Sequence, residues 1–260
     1  MSQLKLGKRP ATHDRRDLRF GAYLDTTAVP APPAQFGHEA LYPPKGWGML
    51  GNDEWGDCAW AGAAHETMVF TKETHPRKPA VFTTAGVVGD YEALTGFKPS
   101  AGPPDHNPTD LGTSIREQMA YRRKTGIKDS AGARHRIGAY LSIDYTDLDQ
   151  VYQAMYLFQV VGIGFNFPLS AFDQFHAGKP WDVVPGATVK GAHYVCAVAK
   201  RKNIEVVTWG SLQQMTERFF NKYVDEAWAY ISVEALKDGK SPQGFRLADL
   251  KLDLAALESI

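Results

Sequence analysis

The hydrophobic pattern of this chain changes character near its middle. Before about residue 130, apolar and small residues recur at helical spacing, and each such stretch follows a residue that can cap a helix. Glycines follow the second and third stretches, as is common at helix ends. The pattern predicts three helices: 58–73 with Asp57 as its N-cap, 84–94 after Thr83 or Thr84, and 115–124 after Thr113 or Ser114.

Beyond that point, alternating positions and short apolar runs bounded by turn residues predict strands. Helical spacing returns only over 147–158, 171–176 and 215–223. Helices first and strands later favour an α+β protein with segregated lobes. The predicted strands cover 136–143, 160–165, 191–199, 204–209 and 227–233.

The same pattern predicts how the chain is divided. Residues 1–45 are rich in proline, arginine and aspartate and are expected to form an extended arm over the globule. A helical lobe is expected over 46–135 and a β-rich lobe over 136–235. The tail, 236–260, carries a helical stripe of leucines that packs either on this globule or on a protein partner. The stripe consists of Leu247, Leu250, Leu254 and Leu257.

Charge and composition narrow the possible partners. Lysine plus arginine equals aspartate plus glutamate, 29 of each, so no overall field favours binding to nucleic acid or to an anionic membrane. No apolar window reaches membrane-spanning length and no apolar signal core opens the chain, so a cytoplasmic location is expected. Transport in a virion or as a delivered effector is the alternative, since it leaves no such signal. Without CxxC, HExxH or a phosphate-binding glycine loop, neither a metal nor a cofactor is expected.

Two short segments carry the candidate chemistry. Cys58 follows Gly56 and Asp57 and begins the first predicted helix, where the helix N-terminus favours a thiolate. About 135 residues later, His193 lies on an apolar strand beside small residues that leave space for its ring. A thiol nucleophile paired with an imidazole base is the resulting hypothesis. The simpler interpretations are a buried structural cysteine and a core histidine.

Two further residues fit such a site. Asn52 lies in a glycine-rich turn and is a candidate donor to an oxyanion, although asparagine is also an ordinary turn residue. Trp209 at a strand end is a candidate shield for the Cys–His pair, or simply a core residue. Cys196 lies three residues after His193 and therefore on the opposite face of the strand, which predicts a buried, inert thiol.

The segments GNDEWGDCAWA and GAHYVCAVAKRKNIEVVTWG resemble the cysteine and histidine motifs of the papain family of cysteine peptidases, in its bacterial and phage form. HDRRDLRF and DLGTSIREQMAYRRKTGI are weaker matches. The resemblance implies a two-lobed α+β fold, a helical lobe beside an antiparallel β-barrel-like lobe with the active-site cleft between them. It makes Cys58 the nucleophile, His193 the base, Asn52 the oxyanion donor and Trp209 the shield.

The chain departs from the family pattern at the third triad position. The asparagine that orients the imidazole aligns with Val207, which cannot accept a hydrogen bond, so the triad is expected to be degenerate. Thr208 is expected to point the other way on its strand, and Asp182 or Gln213 are possible substitutes. With about 57 residues before Cys58, no large inhibitory prodomain is expected.

The sequence therefore predicts a papain-like cysteine peptidase or thiol hydrolase. It would cleave a peptide or isopeptide bond in a peptide or protein substrate through an acyl-enzyme. The alternative is a catalytically decayed papain-fold protein with a binding or structural role, for example in a phage particle. An acyltransferase, or a cell-wall amidase or endopeptidase of the NlpC type, is a third possibility, although NlpC-type enzymes usually carry a second histidine that is missing after His193.

Overall fold

The computed structural model describes residues 4–233 and 242–258, which form seven α-helices and nine β-strands. The helices are α1 (Cys58–Thr74), α2 (Thr84–Thr95), α3 (Ile115–Lys124), α4 (Leu148–Phe158), α5 (Ser170–His176), α6 (Glu217–Tyr223) and α7 (Leu247–Glu258). The strands are β1 (Phe36–Gly37), β2 (Ile127–Lys128), β3 (Arg134–His135), β4 (Ile137–Ser142), β5 (Val161–Pro168), β6 (Val189–Lys200), β7 (Ile204–Thr208), β8 (Ser211–Met215) and β9 (Val224–Ser232).

The main sheet is antiparallel and runs in the order β4-β9-β5-β6-β7-β8, with β1 added to β6. This combination of helices and an antiparallel sheet confirms the α+β fold class. In the described residues the end strands β4 and β8 do not pair, so the sheet is open and the expected closure toward a barrel is wrong. The predicted boundaries of the arm, the two lobes and the tail stay predictions.

Both faces of the sheet are buried, and this positions the helix that carries Cys58. On β6, Val195 and Ala197 face one core with α4 and α6, whereas Tyr194 and Cys196 face a second core built from α1, α2 and α3. A strand that is buried on both faces typically has a continuous run of apolar residues, and β6 contains such a run. Because α1 packs directly on β6, the start of this helix lies beside the strand that carries His193.

Local capping chemistry explains where the helices begin. Thr83 accepts a hydrogen bond from the backbone N–H of Gly86 at 3.2 Å, and Ser114 caps α3 in the same way, so both predicted caps are confirmed. Asp57 precedes α1 but its carboxyl makes no capping bond, so that prediction is wrong. The Asp57 side chain is instead fully buried, which raises its pKa.

The leucine stripe of the tail covers the chain's own core over its first turns. Leu247 and Leu250 are buried and Leu254 packs partly against the same core, whereas Leu257 is 38% exposed. The helical stripe is therefore confirmed for α7. Its use by a partner stays a prediction, and residues 236–241 of the predicted tail lie outside the described residues.

A buried ion pair joins α1 to α3 beneath the sheet. Glu66 Oε2 lies 2.6 Å from the Arg122 guanidinium, and its other oxygen accepts a bond from the Tyr194 hydroxyl at 2.6 Å. The guanidinium also lies over the ring of Tyr230, 4.6 Å from its centroid. Both charged side chains are almost completely inaccessible to solvent. The pair therefore depends on each partner to balance the other's charge.

Replacing Glu66 with glutamine is expected to lower the free energy of unfolding by about 3–5 kcal/mol, because Arg122 keeps a buried charge without a counter-ion. Urea unfolding followed by tryptophan fluorescence measures the loss. Glu92→Gln, an exposed position on α2, is the matched control and is expected to change stability by less than about 0.5 kcal/mol. A Glu66→Gln loss as small as that of the control would contradict this account of the pair.

Candidate active site

Cys58 is the first residue of α1, and its side chain is sealed from solvent, with 2% of the residue exposed. Burial raises the pKa of Cys58 to about 12. In this conformation Cys58 is a neutral thiol at neutral pH.

His193 lies on β6 and is completely buried. Its Nε2 is 2.7 Å from the hydroxyl oxygen of Thr208, and its ring stacks on the Trp209 indole with centroids 4.5 Å apart. Burial lowers the pKa of His193 to about 3. Among the described residues, Nδ1 has no hydrogen-bond partner, so the thiol does not bond to the ring.

The structure nevertheless brings the two predicted residues to the same place. Gly7 lies against the carbonyl of Gly56, two residues before Cys58, and the next residue, Lys8, donates its N–H to the carbonyl of Ala192, the residue before His193. The start of α1 and the start of the apolar part of β6 therefore lie on the two sides of this short segment. Cys196 lies on the face of β6 opposite to His193, as predicted, in the core that also contains Cys58, and both cysteines are free thiols.

Thr208, and not a residue at position 207, orients the imidazole. His193 shares its face of β6 with Val195 and Ala197, so residues on the matching face of β7 are Val206 and Thr208. Val207 faces the helices together with Cys196, its partner in the β6–β7 register. The expectation that Thr208 points away from the ring is therefore wrong. The register between β6 and β7 places Thr208 on the same face as His193, and strand alternation alone could not identify it.

Asn52 and Trp209 converge on one peptide carbonyl. The Nδ2 of Asn52 donates to the carbonyl oxygen of Lys5 at 3.3 Å, and to that of Trp55 at 3.0 Å. The indole Nε1 of Trp209 donates to the same Lys5 oxygen at 3.2 Å. Two side chains predicted for the site thus bind a backbone carbonyl beside the Cys58–His193 pair.

That carbonyl belongs to a segment that covers the site, residues 4–9, which we call the strap. The strap is bound along its backbone to both sides of the cleft. On the helical side, Thr113 donates its N–H to the Gly7 carbonyl at 2.7 Å and accepts from the N–H of Arg9 at 2.9 Å. On the sheet side, the N–H of Lys8 donates to the carbonyl of Ala192 at 3.2 Å.

Gly7 is the point of closest approach of the strap to the loop before Cys58. A Cβ at this position would lie 1.8 Å from the carbonyl oxygen of Gly56, so a side chain does not fit while the strap is bound. The strap covers the start of α1, because Gly7 lies against Gly56, two residues before Cys58. Although no large prodomain was expected, a short segment is enough to close this site.

A second surface feature lies away from the Cys58–His193 site. A groove of about 910 Å³ lies at the far end of α1, beside Phe70, Thr74 and His135, away from Cys58 and His193. In the described part of the chain, no group of three or more His, Cys, Asp or Glu side chains is arranged to hold a metal ion. None of the described helices is both long and apolar enough to cross a membrane.

Comparison with solved structures identifies the architecture. Xylellain, a cysteine protease from Xylella fastidiosa, superimposes with a TM-score of 0.65 at 15% identity, over 90% of this chain and 99% of that one. The fold is that of the papain-like cysteine proteases. Procathepsin B S9 from Trypanosoma congolense matches with a TM-score of 0.56 at 11% identity, covering 88% of this chain and 86% of its own.

A third papain-like structure supports the same assignment. The cysteine protease CMS1MS2 of Carica candamarcensis, solved in complex with E-64, matches with a TM-score of 0.54 at 11% identity, over 77% of this chain and 99% of that chain. No protein-family model and no curated protein sequence matches this chain. At such low identities the likeness shows the fold alone.

Proposed function

We propose that this protein is a papain-like cysteine peptidase, with Cys58 as nucleophile and His193 as base, whose cleft the strap closes in the conformation described here. The observation that carries the proposal is the binding of a peptide backbone beside Cys58. The strap is an extended peptide held by both walls of the cleft, with one of its carbonyls bound by Asn52 and Trp209. A substrate backbone would find the same donors and acceptors once the strap has left.

Catalysis would proceed through a thioester. The Cys58 thiolate attacks the substrate carbonyl carbon while His193 holds the thiol proton. Asn52 Nδ2 and the backbone N–H of Cys58 are the donors for the resulting oxyanion. The C–N bond breaks as His193 gives its proton to the leaving amine. Water, deprotonated by His193, then hydrolyses the thioester and restores the thiol.

The position of Thr208 suits this proton transfer. When Nε2–H of His193 donates to the Thr208 hydroxyl, the ring lone pair resides on Nδ1, the nitrogen without a partner in the described structure. Proton transfer from Cys58 requires the thiol to approach this nitrogen once the strap has left. The stacked Trp209 restricts the tilt of the ring.

Removal of the strap would change the ionisation of both groups in the direction that catalysis requires. Burial is the first cause of the high pKa of Cys58 and of the low pKa of His193. Exposure of the site brings both pKa values back toward their ordinary range, where the helix N-terminus and an imidazolium favour the thiolate. The closed form is therefore inactive and the open form is competent.

The alternative of a decayed papain-fold binding protein rests on Val207 and on the leucine-striped tail. Because the Thr208 hydroxyl lies on Nε2 of His193, a polar partner for the ring is present at the next residue. The main reason to regard the triad as lost is thereby removed. If Cys58 stays unreactive after the strap has been released, the result would favour the binding protein.

The direct test is capture of the covalent intermediate. Full-length protein whose strap is displaced by Gly7→Ala is mixed with a peptide library, quenched in acid within seconds, and digested for mass spectrometry. We expect acyl adducts on Cys58 together with new peptide termini in the library. An alkylatable Cys58 that forms no adduct and releases no peptide would refute the peptidase proposal.

Replacing Thr208 with valine in the Gly7→Ala chain is expected to lower kcat/KM about tenfold, because the imidazole loses one hydrogen bond. Thr208→Ser keeps the hydroxyl and is expected to retain most of the activity. The pH–rate profile distinguishes a role of Thr208 in positioning the imidazole from a role in packing. If the hydroxyl positions the ring, its loss should shift the part of the profile that reports the pKa of the base, His193. Equal activity of the valine and serine variants would contradict this role.

A further inference from the structure

The strap places a charged side chain in a buried pocket beside the candidate nucleophile. The Lys8 side chain is 0% exposed, and its Nζ lies 3.0 Å from Glu226 Oε1 and 3.1 Å from Asp225 Oδ2. A buried ammonium group is stable only when it is paired in this way. The Glu226 side chain is itself only 4% exposed, so this carboxylate is built into the wall of the site and is not a surface charge.

Two neighbouring residues shape this acidic pocket. Gly164 on β5 leaves a channel for the lysine stem, since a Cβ there would lie 2.2 Å from Cε of Lys8 and 2.6 Å from Cγ of Glu226. The indole of Trp228 donates to Glu226 Oε2 at 2.8 Å and fixes the carboxylate with its other oxygen toward Lys8. Gly164 thus leaves space for the stem of a long side chain, and the Glu226 carboxylate is held in a fixed orientation at the end of the pocket.

The acidic pocket lies next to the reacting atoms. Lys8 follows Gly7, which lies against Gly56 two residues before Cys58, and the N–H of Lys8 itself donates to the carbonyl of Ala192, the residue before His193. Any extended peptide that uses these backbone positions presents one side chain to the pocket. That side chain would be within a few residues of the bond that Cys58 attacks.

We propose that the acidic pocket, formed by Glu226, Asp225 and Gly164, is a substrate subsite for a basic side chain, and that the protein cleaves peptides with lysine or arginine near the scissile bond. When the strap leaves, both carboxylates lose the ammonium group of Lys8. An incoming lysine or arginine restores the ion pair, whereas an apolar side chain leaves Glu226 buried without a counter-charge. The cleavage preference rests on the proposed peptidase function, but the preference of the pocket for a cation does not.

The cleavage arm of the test uses full-length protein carrying Gly7→Ala and a peptide library with lysine, arginine, leucine and norleucine at each position. We expect cleavage at sites with a basic residue at one fixed position to be faster by about tenfold or more than with norleucine there. Glu226→Gln is expected to remove most of this difference, whereas the exposed control Glu92→Gln retains it. Cleavage without a basic preference overturns the subsite and leaves the peptidase function standing.

The binding arm needs no catalysis. Full-length Gly7→Ala/Cys58→Ala protein is titrated with the labelled peptide LKLGKRP, and with the same peptide carrying norleucine in place of the second lysine. We expect a loss of affinity of about tenfold or more with norleucine. Gly164→Ala, which fills the channel and keeps both acidic residues in the sequence, is expected to abolish the difference.

The two arms separate the possible failures. Equal binding of the lysine and norleucine peptides overturns the pocket as a cation site. A lysine preference in binding, without any cleavage by the Cys58-containing chain, supports the pocket and overturns the peptidase function.

Discussion

Replacing Gly7 with alanine is expected to speed the alkylation of Cys58 at pH 7 by about 10²–10³-fold. The new Cβ would lie 1.8 Å from the Gly56 carbonyl oxygen, a backbone atom that cannot rotate away as a flexible side chain would, so the strap cannot remain in place. Once the thiol is exposed, its pKa falls from about 12 toward the ordinary value of about 8.5 or below. Each unit of that fall raises the thiolate fraction tenfold.

The measurement is the time course of iodoacetamide addition, mapped by peptide to Cys58 and to Cys196. Cys196 serves as an internal reference, because it is buried in the core behind the site and is not covered by the strap. Gly89→Ala on α2, where a Cβ meets no atom within 4 Å, is the matched substitution and is expected to leave the rate unchanged. Similar rates for the two alanine variants would mean that the strap does not control access.

Removing the imidazole is expected to cost the largest share of activity. In the Gly7→Ala chain, His193→Ala is expected to lower kcat for peptide hydrolysis by about 10³–10⁴-fold, because thiol and leaving amine lose their proton carrier. The ring is fully enclosed by Trp209, Thr208 and the phenylalanines of β5, so no neighbouring base can replace it. Hydrolysis of a fluorogenic peptide measures the loss.

His75→Ala provides the matched histidine control, since His75 is exposed at the end of α1. It is expected to retain full activity. The KM of the His193 variant is expected to change little, because the strap contacts indicate that binding uses backbone groups and not the imidazole. Residual hydrolysis in the His193→Ala chain near the level of the His75→Ala chain would remove His193 from the mechanism.

Local rules were sufficient for most elements of this fold. Thr83 and Ser114 cap helices where the sequence predicts them, and the apolar run around Val195 forms the central strand. These signals depend only on residues close in sequence, so no tertiary information is needed. Asp57 fails as a cap because its carboxyl is drawn into the core, a tertiary effect that no local pattern shows.

The features that could not be predicted from the sequence are those whose position depends on residues distant in the chain. β8, with the sequence SLQQM, has no strand-like alternation and was assigned in part to a helix, but it is held by pairing with β7. Thr208 was placed on the wrong face because its orientation depends on which face of β6 holds His193. The register between β6 and β7 decides this, and register is a property of the folded sheet.

The position of the strap over the site is the most important feature that the sequence does not predict. Its sequence, LKLGKR, has neither helical nor strand periodicity and is predicted only as part of the extended arm over the globule, residues 1–45. Its position depends on backbone bonds to Thr113 and Ala192, on Gly7 against Gly56, and on the pairing of Lys8 with two carboxylates more than 200 residues away. Such an arrangement becomes visible only when both walls of the cleft have been assembled.

The central claim is that Cys58 and His193 act as one proton-sharing pair once the strap is released. The most direct measurement is the rate of Cys58 alkylation at pH 6 and at pH 8 in Gly7→Ala protein, with and without His193→Ala. A paired thiolate predicts less than about a tenfold difference between the two pH values, and loss of the pH 6 reaction in the His193 variant. An ordinary thiol with a pKa near 8.5 would react roughly 100-fold faster at pH 8 than at pH 6. That steep ratio, unchanged by His193→Ala, would contradict the account.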